Sequence, residues 1–580
     1  MQLHLGMKDS KSNIFSLLVP YKGLIFLLIL ITLASNAITI FIPKLVASSI
    51  DHFINGTLQT HQTLVLFTVA AIGIFIFTYI QSVMQTYASE RVARDLRNTV
   101  MSKISLQNFS YIQETNPSVL LTNLTSDIDA IKVFVAQAIV SIVSSIFIIV
   151  GVTILLITIN WRLALGVLAI IPLIGGAFFF VLGKVRPLFF KVQTIIDRLN
   201  KVINESILGA ALIRVLNSQA FEYQKFTEVN TDAKNNGLKI LSFFAALIPT
   251  IVFIANTAVV VVLLFGGRAV IIGGMTIGDF TAFNSYIAIL IFPIMIIGFM
   301  STVIARASAS YQRIYTVLEA PLHPELGTVD TILSGEIEVK EVTMKFGEKE
   351  ALKNISFTIK PGTKNAIIGP TAAGKTQLLY IMTGLLKPTQ GTVHYDGLSL
   401  DQYDQHSLHE QIGFVFQDSV IFNTSVKENI AFSTTVTDAS LQKALDTAEL
   451  DDLITSLPNG LAEIISERGT NLSGGQKQRI TLARALALNP RILFLDDFTA
   501  RVDTRTEQSI LANVKKSYPE LTLISITQKI SSIETYDNII LIMEGELLAQ
   551  GTHSELLKSS HEYMQIYQSQ QSTEHYELQA

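Results

Sequence analysis

The feature that most restricts this chain's fold is a series of apolar runs confined to about the first 300 of its 580 residues. A helix needs about 20 mostly apolar residues to cross a bilayer. In hydrocarbon the backbone must also satisfy its own hydrogen bonds. Six stretches qualify, residues 21–43, 62–86, 133–159, 162–182, 243–265 and 277–303. The expected fold class is a polytopic α-helical membrane domain with six transmembrane helices, fused to a more polar C-terminal half. Composition agrees: hydrophobic residues are 49% and charged residues only 16%, against roughly 25% charged in soluble domains. Residues 11–20 read as an amphipathic elbow at the interface. No small-residue cleavage site follows a short apolar core, so the run from Tyr21 reads as a retained helix rather than a signal peptide.

Positive charge sets the orientation. Arg91, Arg94, Arg97 and Lys103 follow the second run, Lys184, Arg186 and Lys191 the fourth, and Arg306 and Arg313 the sixth. By the positive-inside rule the N-terminus, the loops 87–132 and 183–242 and the C-terminal half are cytoplasmic. Both loops exceed what a helix-to-helix connection needs and keep a helical pattern. Spans continuing past the membrane are predicted, each pair closed by a short transverse helix that touches the C-terminal half. Asn116-Pro117-Ser118 reads as a turn opening one such helix, with Asp127 and Asp129 near the next start. Pro172, Pro249 and Pro293 are predicted to kink their helices. Asn36, Gln81, Asn256 and Asn284 either line a substrate cavity or bond between helices. No Asp, Glu or Lys falls deep in a run, so an ion-coupling site is not evident and a nucleotide is the expected energy source.

The C-terminal half contains the chemistry. Gly369-Pro-Thr371-Ala-Ala373-Gly374-Lys375-Thr376 follows the strand-like run Ala366-Ile367-Ile368 and precedes a helical run from Gln377. Gly-x-x-x-x-Gly-Lys-Thr between a strand and a helix is a phosphate-binding loop. Backbone N–H groups and the helix N-terminus face a polyphosphate, Lys375 adds a full charge, and the Thr376 hydroxyl is placed for Mg²⁺. A nucleoside triphosphate is the expected ligand. The net charge of −4 carries no general nucleic-acid signal, and the absence of cysteine excludes disulfides and Cys-ligated metals. Three regions are expected: a transmembrane domain over 1–318, a linker over 319–334 and a nucleotide-binding domain over 335–580. The linker is marked by the prolines and polarity of 319–327.

Further motifs follow in order: Ile412-Gly-Phe-Val-Phe-Gln417, Leu472-Ser473-Gly474-Gly475-Gln476, and the hydrophobic run Arg491-Ile-Leu-Phe-Leu that ends in Asp496-Asp497. Leu-Ser-Gly-Gly-Gln between a phosphate loop and such a run resembles the signature of the ABC-transporter ATPases. With six spans ahead of it, nearly the whole chain resembles an exporter-type half-transporter. The resemblance implies an α/β P-loop ABC ATPase domain in the cytoplasm and a membrane domain in the bacterial inner membrane. It implies ATP and Mg²⁺ as cofactors, with Gly369, Thr371, Ala373, Gly374, Lys375, Thr376 and Gln377 at the phosphates and Phe346 stacked on adenine. Thr376 and Gln417 would reach the metal, and Asp496 would hold its shell through water. Ser473, Gly474, Gly475 and Gln476 would close over ATP bound to a second subunit, so one chain cannot complete a site. Glu467-Arg468-Gly469 resembles the segment that meets the transverse helices.

Several positions depart from the family pattern. Asp497 stands where a hydrolytic member has the Glu that serves as general base, and its carboxylate is withdrawn by roughly 1 Å. A displacement of that size costs on the order of 100-fold. Gln528 stands at the switch histidine and cannot become cationic. Ala500-Arg501-Val502-Asp503 replaces the usual Ser-Ala-Leu-Asp, and Ala372 replaces a common glycine. Asp497 and Gln528 together resemble the degenerate-site subunit of heterodimeric multidrug exporters. The resemblance thus implies export of hydrophobic or amphiphilic small molecules, drugs or lipids, with a second ABC subunit and membrane lipid as partners and no nucleic acid. A homodimeric lipid or drug exporter that tolerates Asp as base, and an ATP-gated regulatory or channel-like protein, remain alternatives. Peptide export is disfavoured, because the first run begins near Tyr21 with no room for a peptidase domain before it.

Overall fold

Apolar length dictates the N-terminal architecture. The computed structural model describes residues 14–322 and 327–577. The first part of the expected elbow and the middle of the linker lie outside the described residues; Ile14–Tyr21 forms a 3₁₀ turn. Among the described residues, five helical stretches are long and apolar enough to cross a membrane: Ile14–Ile54, Thr60–Ser105, Pro117–Leu208, Gln219–Ile271 and Ile277–Glu319. They contain helices α1 (Lys22–Ile54) and α2 (Thr60–Ser105). After the short α3 (Phe109–Thr115) come α4 (Ile139–Leu168), α5 (Ile170–Leu208), α6 (Gln219–Val261) and α7 (Ile277–Glu319). The 46 residues of α2 extend about 69 Å at about 1.5 Å per residue, well beyond a hydrocarbon core of about 30 Å.

Polar side chains mark where the helices break and join. Asn160 leaves helical geometry inside α4 (φ −156°, ψ 102°), and its Oδ1 accepts the Leu163 amide at 3.1 Å, capping the part that follows. The α4–α5 junction at Ala169 reflects Pro172, whose missing N–H falls opposite the carbonyl of Leu168. Helices α6 and α7 run through Pro249 and Pro293. Asn36 donates to Ser144 Oγ at 2.7 Å, joining α1 to α4, whereas Asn284 donates to the carbonyl of Phe280 in its own helix. The start of α7 is capped twice: Thr276 Oγ1 accepts from Asp279, and Asp51 Oδ1 accepts from Gly278 at 2.8 Å. Leu156, Ile174, Leu247, Ile251, Tyr286 and Leu290 form part of the apolar interior of this bundle.

The chain divides into two compact units, Met1–Leu106 with Thr115–Pro321, and Gln107–Glu114 with Leu322–Ala580. The second unit thus includes most of α3, where Phe109 lies edge-on to Tyr380 with ring centroids 5.2 Å apart. Asn116 Oδ1 caps the next short helix by accepting from Ser118.

The second unit has two sheets. An antiparallel sheet of order β2-β1-β4-β5 holds β1 (Ile337–Phe346), β2 (Lys349–Ile359), β4 (Gln390–Tyr395) and β5 (Leu398–Ser399). The larger sheet has the order β10-β9-β3-β8-β7-β6. Its strands are β3 (Lys364–Ile368), β6 (Ile412–Val415), β7 (Ile492–Asp496), β8 (Thr522–Ile526), β9 (Asn538–Met543) and β10 (Glu546–Gly551). All its neighbours run parallel except β9 and β10. The parallel strands are buried on both faces, which explains their unbroken apolar character. Successive side chains point to opposite faces: Ile367, Phe494 and Ile524 enter one core, while Ile368, Leu495 and Leu523 enter the other. The first core lies with α8 (Lys375–Met382), and the second with α9 (Gly474–Ala487) and α10 (Thr504–Ser517). Helix α11 (His561–Glu577) ends the described chain.

Candidate nucleotide-binding site

In an open parallel sheet, ligands bind beyond the carboxyl ends of the strands. Here three adjacent strands end in the motif residues. Gly369 follows β3, Asp496 closes β7 and Asp497 follows it, and Gln528 lies two residues beyond β8. The register pairs Ile367 with Ile526 and Asp496 with Ile526, so the three ends are level. The amide of Asp497 donates to the carbonyl of Ile526 at 3.1 Å, extending the pairing past the strands. Gln417 is exposed two residues past β6, the neighbour of β7.

The loop between β3 and α8 is shaped by its backbone. Gly374 has φ +92°, and a Cβ there would lie 2.6 Å from the carbonyl oxygen of Ala351, so only glycine fits. Ala372 takes φ +65° despite its side chain, a left-handed conformation that costs about 1–2 kcal/mol for an L-residue. Thr371 is exposed, Ala373 is buried and Gln377 is half-buried in the first turn of α8. The buried Lys375 folds over the loop, its Nζ donating to the carbonyls of Gly369 (2.9 Å) and Pro370 (2.7 Å). Burial pushes its ammonium below the usual lysine range, and the charges of Asp496 and Asp497 pull it back up.

Asp496 is 1% exposed. Thr376 Oγ1 donates to its Oδ1 at 3.4 Å, while Oδ2 is buried with no hydrogen-bond partner. Burial lifts its carboxyl above the usual range; Asp497 adds to this, and Thr376 and Lys375 oppose it. A buried carboxylate oxygen without a donor, next to a threonine hydroxyl, fits a hydrated divalent cation of the oxygen-binding type.

Elsewhere, Ser473 and Gln476 form a capping box at the start of α9. Ser473 Oγ accepts the Gln476 amide at 3.2 Å, and Gln476 Oε1 accepts the Ser473 amide at 2.8 Å. A Cβ on Gly475 would meet the Arg501 carbonyl at 2.9 Å, so the segment 501–503 packs directly on this helix end. Asp503 caps α10 through Thr506, and the Ala500 side chain lies outside the described residues. Among the described residues no hydrogen bond or ion pair joins Ser473–Gln476 to the phosphate loop. Phe346 ends β1 half-exposed, on the antiparallel sheet. Arg468 adopts φ +55°, and its carbonyl accepts from Lys477 Nζ at 3.0 Å.

Two residues were not signalled by any motif. Glu507 in α10 is 2% exposed; burial raises its carboxyl above the usual range, while Ser532 and the charge of Lys529 oppose the shift. Gln570 in α11 bonds the segment carrying Gln528. The link from Gln570 to the segment of Gln528 exists only in three dimensions.

The profile of the ABC transporter transmembrane region matches residues 25–294, and that of the ABC transporter ATPase matches 352–500. The uncharacterized ABC transporter ATP-binding protein YfiB of Bacillus subtilis (strain 168) is 32% identical over 566 residues, 96% of this chain and 98% of that protein. The ATP-dependent lipid A-core flippase of Syntrophus aciditrophicus (strain SB) is 28% identical over 499 residues, covering 85% of this chain and 83% of its own. The probable multidrug resistance ABC transporter ATP-binding/permease protein YheI of Bacillus subtilis (strain 168) is 28% identical over 558 residues, 94% of each chain. A bacterial Atm1-family ABC exporter solved with ATP bound has the same fold, with a TM-score of 0.79, 22% identity and coverage of 95% and 98%. The strand–loop–helix site and the apolar bundle agree with these likenesses: the chain belongs to the ABC transporter family, as an exporter-type member with its helical domain in the membrane and its ATPase domain in the cytoplasm.

Proposed function

We propose that this chain is one subunit of a heterodimeric exporter of hydrophobic or amphiphilic molecules, binding ATP at a site of low hydrolytic capacity. The pair Asp497 and Gln528 carries this reading, because both follow neighbouring strand ends while the phosphate loop beside them is intact. Lys375 would leave the loop carbonyls for the β- and γ-phosphates, and Thr376, Gln417 and Asp496 would hold Mg²⁺. The cation, when bound, neutralises phosphate charge. Asp497 would orient the attacking water poorly, being one methylene short of the family's glutamate. Gln528 would still donate a hydrogen bond to the γ-phosphate, without charge. Ser473, Gly474, Gly475 and Gln476 would complete the partner's site, since among the described residues no hydrogen bond joins them to this chain's own loop and α9 presents an N-terminus suited to anions.

Six spans underlie the membrane part of the proposal. The stretch Pro117–Leu208 holds 92 residues, about 138 Å as one helix at about 1.5 Å per residue. A break at Asn160, where the backbone leaves helical geometry, would divide it into two spans. Phe109 on Tyr380 would carry nucleotide-driven movement into α2, which ends four residues earlier. The likeness to a lipid A-core flippase and to a probable multidrug resistance transporter supports lipids or drugs as cargo.

Steady-state ATP hydrolysis of the purified chain alone in lipid, beside the Asp497→Glu/Gln528→His double variant, tests the reading. A nearly silent chain and an active variant are expected. Turnover near 1 s⁻¹ or faster in the unmodified chain, within the ordinary enzyme range, would sink the degenerate-site reading and favour a homodimeric pump.

A further inference from the structure

The segment that follows β8 is gripped from the far end of the chain. Gln570 Nε2 donates to the carbonyl of Gln528 at 2.6 Å, and its Oε1 accepts the amide of Ile530 at 2.9 Å. One side-chain amide thus spans both ends of a three-residue stretch. Ile530 is fully buried, so its N–H has no water to turn to if Gln570 is removed. Gln528, by contrast, is exposed, which leaves its side chain free while its backbone is held.

Helix α11 is itself firmly seated. Tyr563 is fully buried, its hydroxyl is 2.7 Å from His553 Nδ1, and Tyr567 meets the same imidazole edge-on at 5.1 Å. Gln570 lies seven residues past Tyr563, two helical turns on, and therefore projects from the same side of α11 as that anchor.

From this geometry we infer that Gln570 is a positioning residue: the C-terminal helix sets the height of position 528 above the sheet and so the approach of its side chain to the nucleotide. The inference rests on the reading of 528 as the γ-phosphate position. The two bonds lie on the peptides either side of Lys529, so position 528 is held through its carbonyl, and rotation of the peptide that joins it to Lys529 breaks the bond to Gln570. Ordinary packing of α11 would need neither bond. The Tyr563 anchor already supplies the burial.

The test uses the full-length Asp497→Glu/Gln528→His chain in lipid as parent, with Gln570→Ala and Gln570→Glu added separately. Gln570→Glu keeps an acceptor for Ile530 and nearly the same shape but opposes the Gln528 carbonyl with a second acceptor, so it guards against simple misfolding. Both are expected to lower kcat about 10-fold, short of the loss of about 100-fold that a 1 Å displacement brings. The KM for ATP should stay within about twofold, and hydrogen exchange at the Ile530 amide should accelerate in Gln570→Ala. Unchanged kcat with accelerated exchange would reduce the clasp to a structural contact and overturn the inference, while unchanged exchange would show that the clasp does not hold the segment at all. A silent parent would instead defeat the underlying assignment of position 528, and the proposal with it.

Discussion

Arg313 Nε donates to Asp127 Oδ2 at 2.9 Å, and its Nη2 bonds the other carboxylate oxygen, which also accepts from Ser310 Oγ at 2.9 Å. The two partners differ in burial: the Asp127 side chain is 3% exposed and that of Arg313 is 53% exposed. Removing Arg313 strands a buried charge, whereas removing Asp127 releases a guanidinium that already meets water. Arg313→Ala is therefore expected to cost about 3 kcal/mol, and Asp127→Ala about 1 kcal/mol. Unfolding midpoints of the two variants in the same detergent check the order, and a reversed order would refute the asymmetry.

Asp496 gives a pH prediction. Its carboxyl is raised above the unfolded value by burial, so the nucleotide-free protein gains stability from it below the unfolded pKa. That contribution is lost as pH rises through the folded pKa. At neutral pH the ionised Asp496 is thus a destabilising feature of the empty site. Asp496→Asn is expected to raise the unfolding temperature of the nucleotide-free chain at pH 7, with the gain shrinking as pH is lowered towards 4. The same variant should weaken Mg²⁺-dependent ATP binding by about 10-fold or more, the range of a charge-assisted contact. Thermal scans across pH and equilibrium binding of a fluorescent ATP read both effects.

Ala372 occupies a left-handed conformation inside the phosphate loop. Ala372→Gly relieves that strain but also loosens the unfolded chain, so a net gain of about 1 kcal/mol is expected. ATP affinity should rise by no more than about fivefold, because the loop is already built in the binding shape. A loss of stability would show that the alanine methyl packs favourably enough to outweigh its backbone.

Phe109 bears on Tyr380 in an edge-to-face pair, and Tyr380 in turn meets Phe414 and Phe416. Such pairs contribute about 0.5–1.5 kcal/mol beyond burial. Phe109→Ala should leave ATP binding within twofold while transport per ATP hydrolysed falls. Assayed in proteoliposomes with the complete dimer, an unchanged ratio would remove this ring pair from the coupling path.

Much of the nucleotide-site motif is legible in the sequence. Gly369 to Thr376 is a local device: a strand, a turn that needs glycine and a helix N-terminus are contiguous in the chain, so their chemistry can be read in order. The apolar runs are equally local, because span length follows from bilayer thickness. Helix α2, at 46 residues, runs far beyond the run of 62–86, as the helical pattern of the polar residues after it predicts. The single stretch Pro117–Leu208 shows the limit of hydropathy. Its helix breaks at one asparagine, and Asn160 looks like any polar residue in an apolar run.

Residue type and short spacing were enough to read the phosphate-loop motif, the apolar runs and the family to which they point, because each of these is local in the chain. That Asp496 and Ile526 end level on adjacent strands, with Asp497 and Gln528 just beyond them, came from the fold, because register is a property of paired strands. The fold alone made Asp127 the buried partner of Arg313, 186 residues away, and placed Gln570 on the segment beside Gln528. Such contacts arise when hydrophobic burial brings distant helices and strands together, and the polar groups trapped between them must then find partners wherever packing has put them.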